Sequence, residues 1–300
     1  MKSSIFLINN PKAKKSSGRK IMLASHFLRS RGYKVEVFST THRGHAESIA
    51  REAVGKSTSL IVAAGGDGTF NEVINGIAGS EVPMAILPLG TTNVLAKELC
   101  IPENVEGAME IAVGNTPQTV SLGRIILSSI STGNLSRQEF ARYFVLMAGI
   151  GFDGEAVFGI SDTIKKFSGK GAYIYNGIKT LYKFDPVELT FNIDGKSYSG
   201  FSAIIGKAAK YGGNFRVTPD ARLTDPALYI CIFKGKKRLD IFRYVVGIVT
   251  GSHLGFKDVE YLKAEKIQID GNAHIQIDGD YFGKTPAKIE IVPDIVRLVF

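Results

Sequence analysis

Apolar and polar positions change period along the chain, and the change marks two regions. In the first, the apolar runs Ile5–Ile8, Leu60–Ala64 and Met84–Leu87 and the alternating stretch Tyr33–Phe38 predict strands. Between them, apolar residues recur at helical spacing, as Ile21, Leu23, Ala24, Phe27 and Leu28 after the first strand and as a run to Val54 after the second. Strands and helices alternating at this length predict parallel βαβ units, with ligands at the carboxyl ends of the strands. From about Gln118 the pattern turns to strands rich in Ile, Val, Phe and Tyr, with helices at Ala172–Tyr182 and Leu239–Val249. The expected division is 1–120, joined by the closing strand 294–300, and a β-rich second domain over 121–293.

The breaks between predicted elements carry the candidate chemistry. Leu60–Ala64 runs into Gly65, Gly66 and Gly68 and then a helix, so the backbone can approach a ligand closely and the helix start offers N–H groups to an anion. Asp67, Thr69 and Asn71 add a carboxylate, a hydroxyl and an amide, which suits a Mg²⁺-bound polyphosphate better than a plain turn. Three further strand ends have loops of similar character: Asn9-Asn10-Pro11 with the Lys/Ser/Gly stretch behind it, Ser39–Ala46, and Pro88-Leu-Gly-Thr-Thr-Asn93. In a parallel sheet these four loops would converge on one cleft.

Composition narrows the classes. At 300 residues and 44% hydrophobic content, the chain can bury a full core. No apolar run reaches the roughly 18–20 residues that span a bilayer, and the start Met1–Pro11 is too short for a signal peptide, so a cytoplasmic location is expected. The formal net charge of +9 favours anionic partners, but there is no tryptophan, RNP-like aromatic pattern or basic heptad region, so nucleic acid is the least supported of them. Cys100 and Cys231 lack CxxC spacing and are expected to be core thiols.

Taken together, Gly65-Gly-Asp-Gly-Thr-Phe-Asn-Glu-Val73 resembles the nucleotide signature of the diacylglycerol kinase/sphingosine kinase catalytic domain. Other segments are similar to the same family in the same order: Asn10-Pro11 with Ser17-Gly18, Thr40 with Gly44-His-Ala46, Gly90-Thr91 with Asn93, Gly149-Ile-Gly-Phe-Asp153, Tyr211-Gly-Gly213 through Asp225, and Asp278-Gly-Asp280. The resemblance implies a Rossmann-like parallel α/β domain, a β-sandwich-like second domain and a nucleotide cleft between them. It implies Asn10, Pro11, Thr40, Gly65, Gly66, Asp67, Gly68, Thr69, Asn71, Gly90, Thr91 and Asn93 around ATP, Mg²⁺ at Asp67 and Asp225, and Asp280 as general base. Three residues depart from the family pattern: Val94 where many members have Asp, Pro226 where Gly is usual, and Asp280 where Glu is usual.

The activity implied is transfer of the ATP γ-phosphoryl group to a lipid hydroxyl. The partner would be a lipid at an anionic membrane surface, approached reversibly from the inner face, and a homodimer is allowed. Lys234-Gly-Lys-Lys-Arg238 is one candidate basic patch, and a solvated turn is an equal reading of it. Asp153 and Glu155 read either as helix caps or as lining an acceptor site, and Asp278-Gly279 as a type I′ hairpin turn. An NAD kinase, which shares the GGDGT core, and a non-catalytic nucleotide or lipid sensor are the alternatives.

Overall fold

A computed structural model describes residues 3–56, 58–128, 139–158 and 185–300, so the helix predicted at Ala172–Tyr182 lies outside the described residues. The chain divides into two units, Met1–Ser121 with Pro293–Phe300 and Leu122–Val292.

In the first unit, strands β1 (Ser4–Asn9), β2 (Lys34–Ser39), β3 (Thr58–Gly65) and β4 (Met84–Pro88) run parallel in the order β2-β1-β3-β4. The inner strands read as unbroken apolar runs because both of their faces are covered, and Ile5, Leu7, Ile8 and Ile61–Ala64 have no exposed surface. Edge strand β2 instead alternates, with Val35 buried and Val37 exposed. Helices α1 (Gly18–Ser30), α2 (His45–Val54), α3 (Asp67–Ile77), α4 (Val94–Glu98) and α5 (Val105–Gly114) follow or connect the strands. Ser17 caps α1, its hydroxyl accepting from the Lys20 N–H, and Asn104 caps α5 through the Gly107 N–H.

The second unit is an antiparallel sandwich. One sheet has the order β14 (Val259–Ala264), β13 (Leu228–Phe233), β10 (Ser202–Gly206), β7 (Met147–Ile150), β16 (His274–Ile277) and β17 (Asp280–Lys284). The other pairs β18 (Ala287–Leu298) with β15 (Lys266–Asp270), then β8 (Leu189–Ile193) and β9 (Lys196–Gly200). Strand β5 (Gln118–Ser128) pairs with β6 (Glu139–Phe144), and Arg124 Nε donates to Glu290 of β18 at 2.8 Å. The core between the sheets includes Phe144, Ile150, Phe191, Ile205, Ile230, Ile267, Ile275 and Ile289. Helix α6 (Phe152–Phe158) follows β7, the short pair β11 (Lys210–Tyr211) and β12 (Phe215–Arg216) follows β10, and helix α7 (Arg238–Thr250) follows β13.

Strand β18 belongs to both units in sequence. Its first part pairs with β15 in the second unit, and Leu298 near its end lies beside Met84 of β4 in the first. Of the cysteines, Cys231 is buried, and its thiol is pushed up to about 12 by that burial. Cys100 corrects the core-thiol expectation: it is exposed, with φ 56°, directly after α4 has ended.

Candidate functional site

Parallel register brings the strand ends of the first unit side by side: Asn9 is level with Ser39 and Ala64, and Gly65 with Pro88. Backbone hydrogen bonds then tie the loops to one another. The Asn10 N–H donates to Ala64 O at 2.9 Å, Thr40 N–H to Asn9 O at 2.8 Å, Leu89 N–H to Gly65 O at 2.7 Å and Lys15 N–H to Leu89 O at 2.9 Å. Side chains continue the pattern, with Asn10 Nδ2 donating to Thr69 Oγ1 at 3.1 Å and Lys12 Nζ to the Thr41 carbonyl at 3.5 Å. Asn10, Thr40, Gly65, Gly66, Thr69, Gly90 and Asn93 are thereby brought to one edge, while Pro11 and Thr91 lie exposed on the loops themselves and Gly68 is exposed in the first turn of α3.

The turns after β3 and β4 press against each other with no room for side chains. A Cβ on Gly66 would lie 3.2 Å from Gly90 Cα, and one on Gly90 would lie 2.6 Å from Gly66 Cα and 2.6 Å from Asn93 Oδ1. Asn93 takes the left-handed conformation at φ 50° and is fully buried, with Nδ2 donating to Gly90 O at 3.2 Å. Its Oδ1 has no hydrogen-bond partner among the described residues. An unpaired buried carbonyl oxygen is unfavourable by about 1–3 kcal/mol, so this atom is fitted to receive a donor from a bound molecule.

Asp67 does something its position in the motif does not reveal. Its two carboxylate oxygens accept the Val94 and Leu95 N–H groups, each at 3.0 Å, so it caps α4 from the first turn of α3. Burial raises its carboxyl above the ordinary range, and the Leu95 and Val94 N–H groups pull the other way. Glu72 plays a matching part, accepting the N–H groups of Gly44 at 2.9 Å and Ala46 at 3.1 Å, which satisfies the start of α2. Both pairings join residues more than 20 positions apart, and nothing local in the sequence marks them. His45 accepts the Thr41 N–H at 3.1 Å through Nδ1, a turn-closing contact.

In the second unit the Asp278-Gly279 turn has φ 48° and 87°, as a type I′ hairpin requires, and it pairs Ile277 with Asp280. Asp278 is committed to structure: its carboxylate accepts the N–H groups of Val145 at 2.9 Å, Leu146 at 2.9 Å and Met147 at 3.0 Å. Asp280 stands two residues on, partly exposed at the start of β17. Nearby in sequence, Gln276 Oε1 accepts the Gly279 N–H at 2.8 Å while its Nε2 donates to Asp153 at 2.6 Å. Tyr211 Oη donates to the other Asp153 oxygen, so both oxygens of that carboxylate have partners from outside α6. Burial pushes Asp153 up, with Tyr211 and Gln276 opposing it. The residue keeps some open surface, but its carboxylate is enclosed.

Mg²⁺ at Asp67 and Asp225 rests on the resemblance alone. Among the described residues no three His, Cys, Asp or Glu side chains form a set that could hold a metal ion. Both Asp67 oxygens already face N–H groups. Asp225 lies in a turn closed by its own N–H on Arg222 O at 3.2 Å, and the enclosed ammonium of Lys207 donates to that same carbonyl.

Comparison with known proteins gives two consecutive family matches. Residues 4–125 match the diacylglycerol kinase catalytic domain, and residues 147–300 match the YegS C-terminal NAD kinase beta sandwich-like domain. The chain is similar to a diacylglycerol kinase of Bacillus subtilis, 28% identical over 264 residues that cover 86% of this chain and 82% of the relative. A diacylglycerol kinase of Staphylococcus aureus is 28% identical over 294 residues, 96% of this chain and 89% of the relative. In fold it is similar to the crystal structure of a diacylglycerol kinase from Bacillus anthracis, with a TM-score of 0.76 at 21% identity, covering 100% of this chain and 97% of the other.

Proposed function

The chain belongs to the diacylglycerol kinase catalytic-domain family, and from that premise we propose that it transfers the γ-phosphoryl group of ATP to the hydroxyl of diacylglycerol or a closely related lipid. It is a phosphotransferase of the kinase type. The observation that carries the nucleotide half of this reading is the pair of abutting glycine turns, with the unpaired Asn93 Oδ1 between strand ends rich in N–H groups and hydroxyls.

In phosphoryl transfer the protein mainly positions reactants and neutralises charge. Thr40, Thr69, Thr91, Asn10, Asn71 and the backbone of Gly65–Gly68 would surround the phosphates. Asp67 serves as a positioning residue, since its hold on Val94 and Leu95 fixes the Gly90–Asn93 turn against Gly66. Mg²⁺ enters with the nucleotide as part of the MgATP substrate, and no step here depends on a protein metal site. The lipid hydroxyl oxygen attacks the γ-phosphorus, the bond from that phosphorus to the β–γ bridging oxygen breaks to release ADP, and the hydroxyl proton passes to Asp280. Aspartate has the carboxylate of the family's usual glutamate on a stem one methylene shorter, so the hydroxyl must come correspondingly closer.

Radiolabel transfer from γ-labelled ATP, measured in parallel against diacylglycerol, a sphingoid base and NAD, tests the reading. Label in diacylglycerol and none in NAD is expected. Label in NAD alone would establish the NAD kinase alternative, and ATP binding without transfer to any acceptor would establish a sensor.

A further inference from the structure

Helix α7 is apolar on both of its sides, and only one side is used by the fold. Ile241, Tyr244 and Gly247 face inward and are buried. On the opposite side Leu239 is 79% exposed, Phe242 58%, Val249 55%, Val245 45% and Val246 43%. At 100° per residue these five form one continuous stripe over about a third of the helix circumference. The helix is held firmly on the sandwich: Tyr244 packs on Phe233 at 4.8 Å between ring centroids, the Gly235 N–H donates to Tyr244 Oη at 2.7 Å, and Asp240 accepts the Lys237 N–H at 3.0 Å. The stripe is therefore a fixed feature of the surface.

Its charge is as uneven as its polarity. Five basic residues and one acid lie between Lys234 and Arg243, and then no Lys, Arg, Asp or Glu occurs from Tyr244 to Phe256. Lys236, Lys237 and Arg238 are exposed at the start of the stripe. The acids around the helix are engaged within the unit, Glu260 with Lys234 and Asp258 with Arg243.

We propose that α7 is the membrane-docking element of this protein, lying in the plane of an anionic bilayer with Leu239, Phe242, Val245, Val246 and Val249 in the acyl boundary and the Lys236–Arg238 cluster on the lipid headgroups. A stripe of large apolar side chains with cations at its end is the pattern of an interfacial helix. A second copy of the chain is the poorer occupant, because the far end of the stripe offers no acid to meet the partner's basic cluster. The lipid-acceptor reading supplies the reason for docking, whereas the docking itself rests on the helix.

Sedimentation of the full chain with phosphatidylcholine vesicles, with and without phosphatidylglycerol, at low and high salt, decides the matter. The wild type is expected to pellet with the anionic vesicles and to be released by salt in part. Leu239→Glu with Phe242→Glu should weaken partition by about a hundredfold or more, since burial of each large side chain is worth on the order of tenfold or more. Lys236→Ala and Lys237→Ala should each weaken it by about fivefold on anionic vesicles only. Both sets should melt at the wild-type temperature and phosphorylate a short-chain, water-soluble diacylglycerol at the wild-type rate. A glutamate variant that still pellets like the wild type overturns the proposal. So does a wild type that ignores all vesicles but forms dimers that the glutamates dissociate. Failure to phosphorylate any lipid would count against the kinase reading and leave the sedimentation result to decide docking separately.

Discussion

Gly90→Ala adds one methyl group at the closest approach in the nucleotide half. Its Cβ would stand 2.6 Å from Gly66 Cα and 2.6 Å from Asn93 Oδ1, and both are backbone or fully buried atoms with no free side-chain end to swing aside. Carbon–carbon contact is comfortable at about 3.5–4.0 Å, so the two turns must part by about 1 Å. Gly90 is not among the residues with positive φ, so alanine meets no backbone penalty there and the effect is purely one of space. Overpacking of this kind destabilises by about 1–3 kcal/mol, which corresponds to roughly 2–4 °C of melting temperature for each kcal/mol in domains of comparable size. Displacing phosphate-holding groups by about 1 Å should lower kcat/KM for ATP on the order of a hundredfold. Gly66→Ala is the internal control, because its Cβ would lie 3.2 Å from Gly90 Cα and φ is −112°, so a few tenths of an ångström suffice. Thermal melts and steady-state kinetics on the two variants check this. A Gly90→Ala protein that matches the wild type in both, or one no worse than Gly66→Ala, would refute the argument.

Three further outcomes follow from the carboxylates of the second unit. Asp278→Ala strips partners from three N–H groups, each worth about 1–3 kcal/mol when buried and unpaired, and should lower the denaturant midpoint by far more than Asp280→Asn. Asp280→Asn should instead lower kcat by about 10² to 10⁴-fold with ATP affinity unchanged, and an active Asn variant removes Asp280 from the mechanism. Asp153 sets a pH dependence. A folded pKa raised by burial means its contribution to stability is fully present below the ordinary carboxylate pKa and is lost as pH rises through the folded value. Asp153→Asn cannot ionise, so its stability relative to the wild type should climb from about pH 4 upward in denaturant titrations, and a constant difference would contradict this.

The parts of the fold that could be read from the sequence are those whose signals are local. Apolar runs of four or five residues ending in Asn, Gly or Pro placed β1, β3 and β4, and the Asp278-Gly279 pair placed the hairpin because its backbone needs two positive φ values in succession. The same local signals gathered Asn10, Thr40, Gly65 and Gly90 to one sheet edge once parallel pairing was assumed. What stayed hidden depends on partners far along the chain. Asp67 as a cap for α4, Glu72 as a cap for α2, and Asp278 on three N–H groups of the 145–147 segment each join sites between 26 and 133 residues apart. A carboxylate in a motif does not announce whether it faces a ligand or a neighbouring helix. Likewise α7 carries apolar residues on two opposite sides, so periodicity could not tell which side the sandwich would cover and which it would leave open.

The passage of β18 from one unit into the other has a consequence for the order in which the molecule can form. The first unit needs Val299 N–H on Met84 O at 2.9 Å and Gly79 N–H on Ile295 O at 2.8 Å to complete the edge beside β4. Those residues are synthesised after the whole of Leu122–Val292. Domains tend to fold as units during synthesis, from the N-terminal end first, but here the leading unit must wait for its last strand while the second already has every residue it needs. Synthesis therefore reaches the closing residues of the nucleotide half last, and until they pair with it β4 is a second edge of the β1–β4 sheet beside that at β2, a place where a chain would need protection from pairing with another.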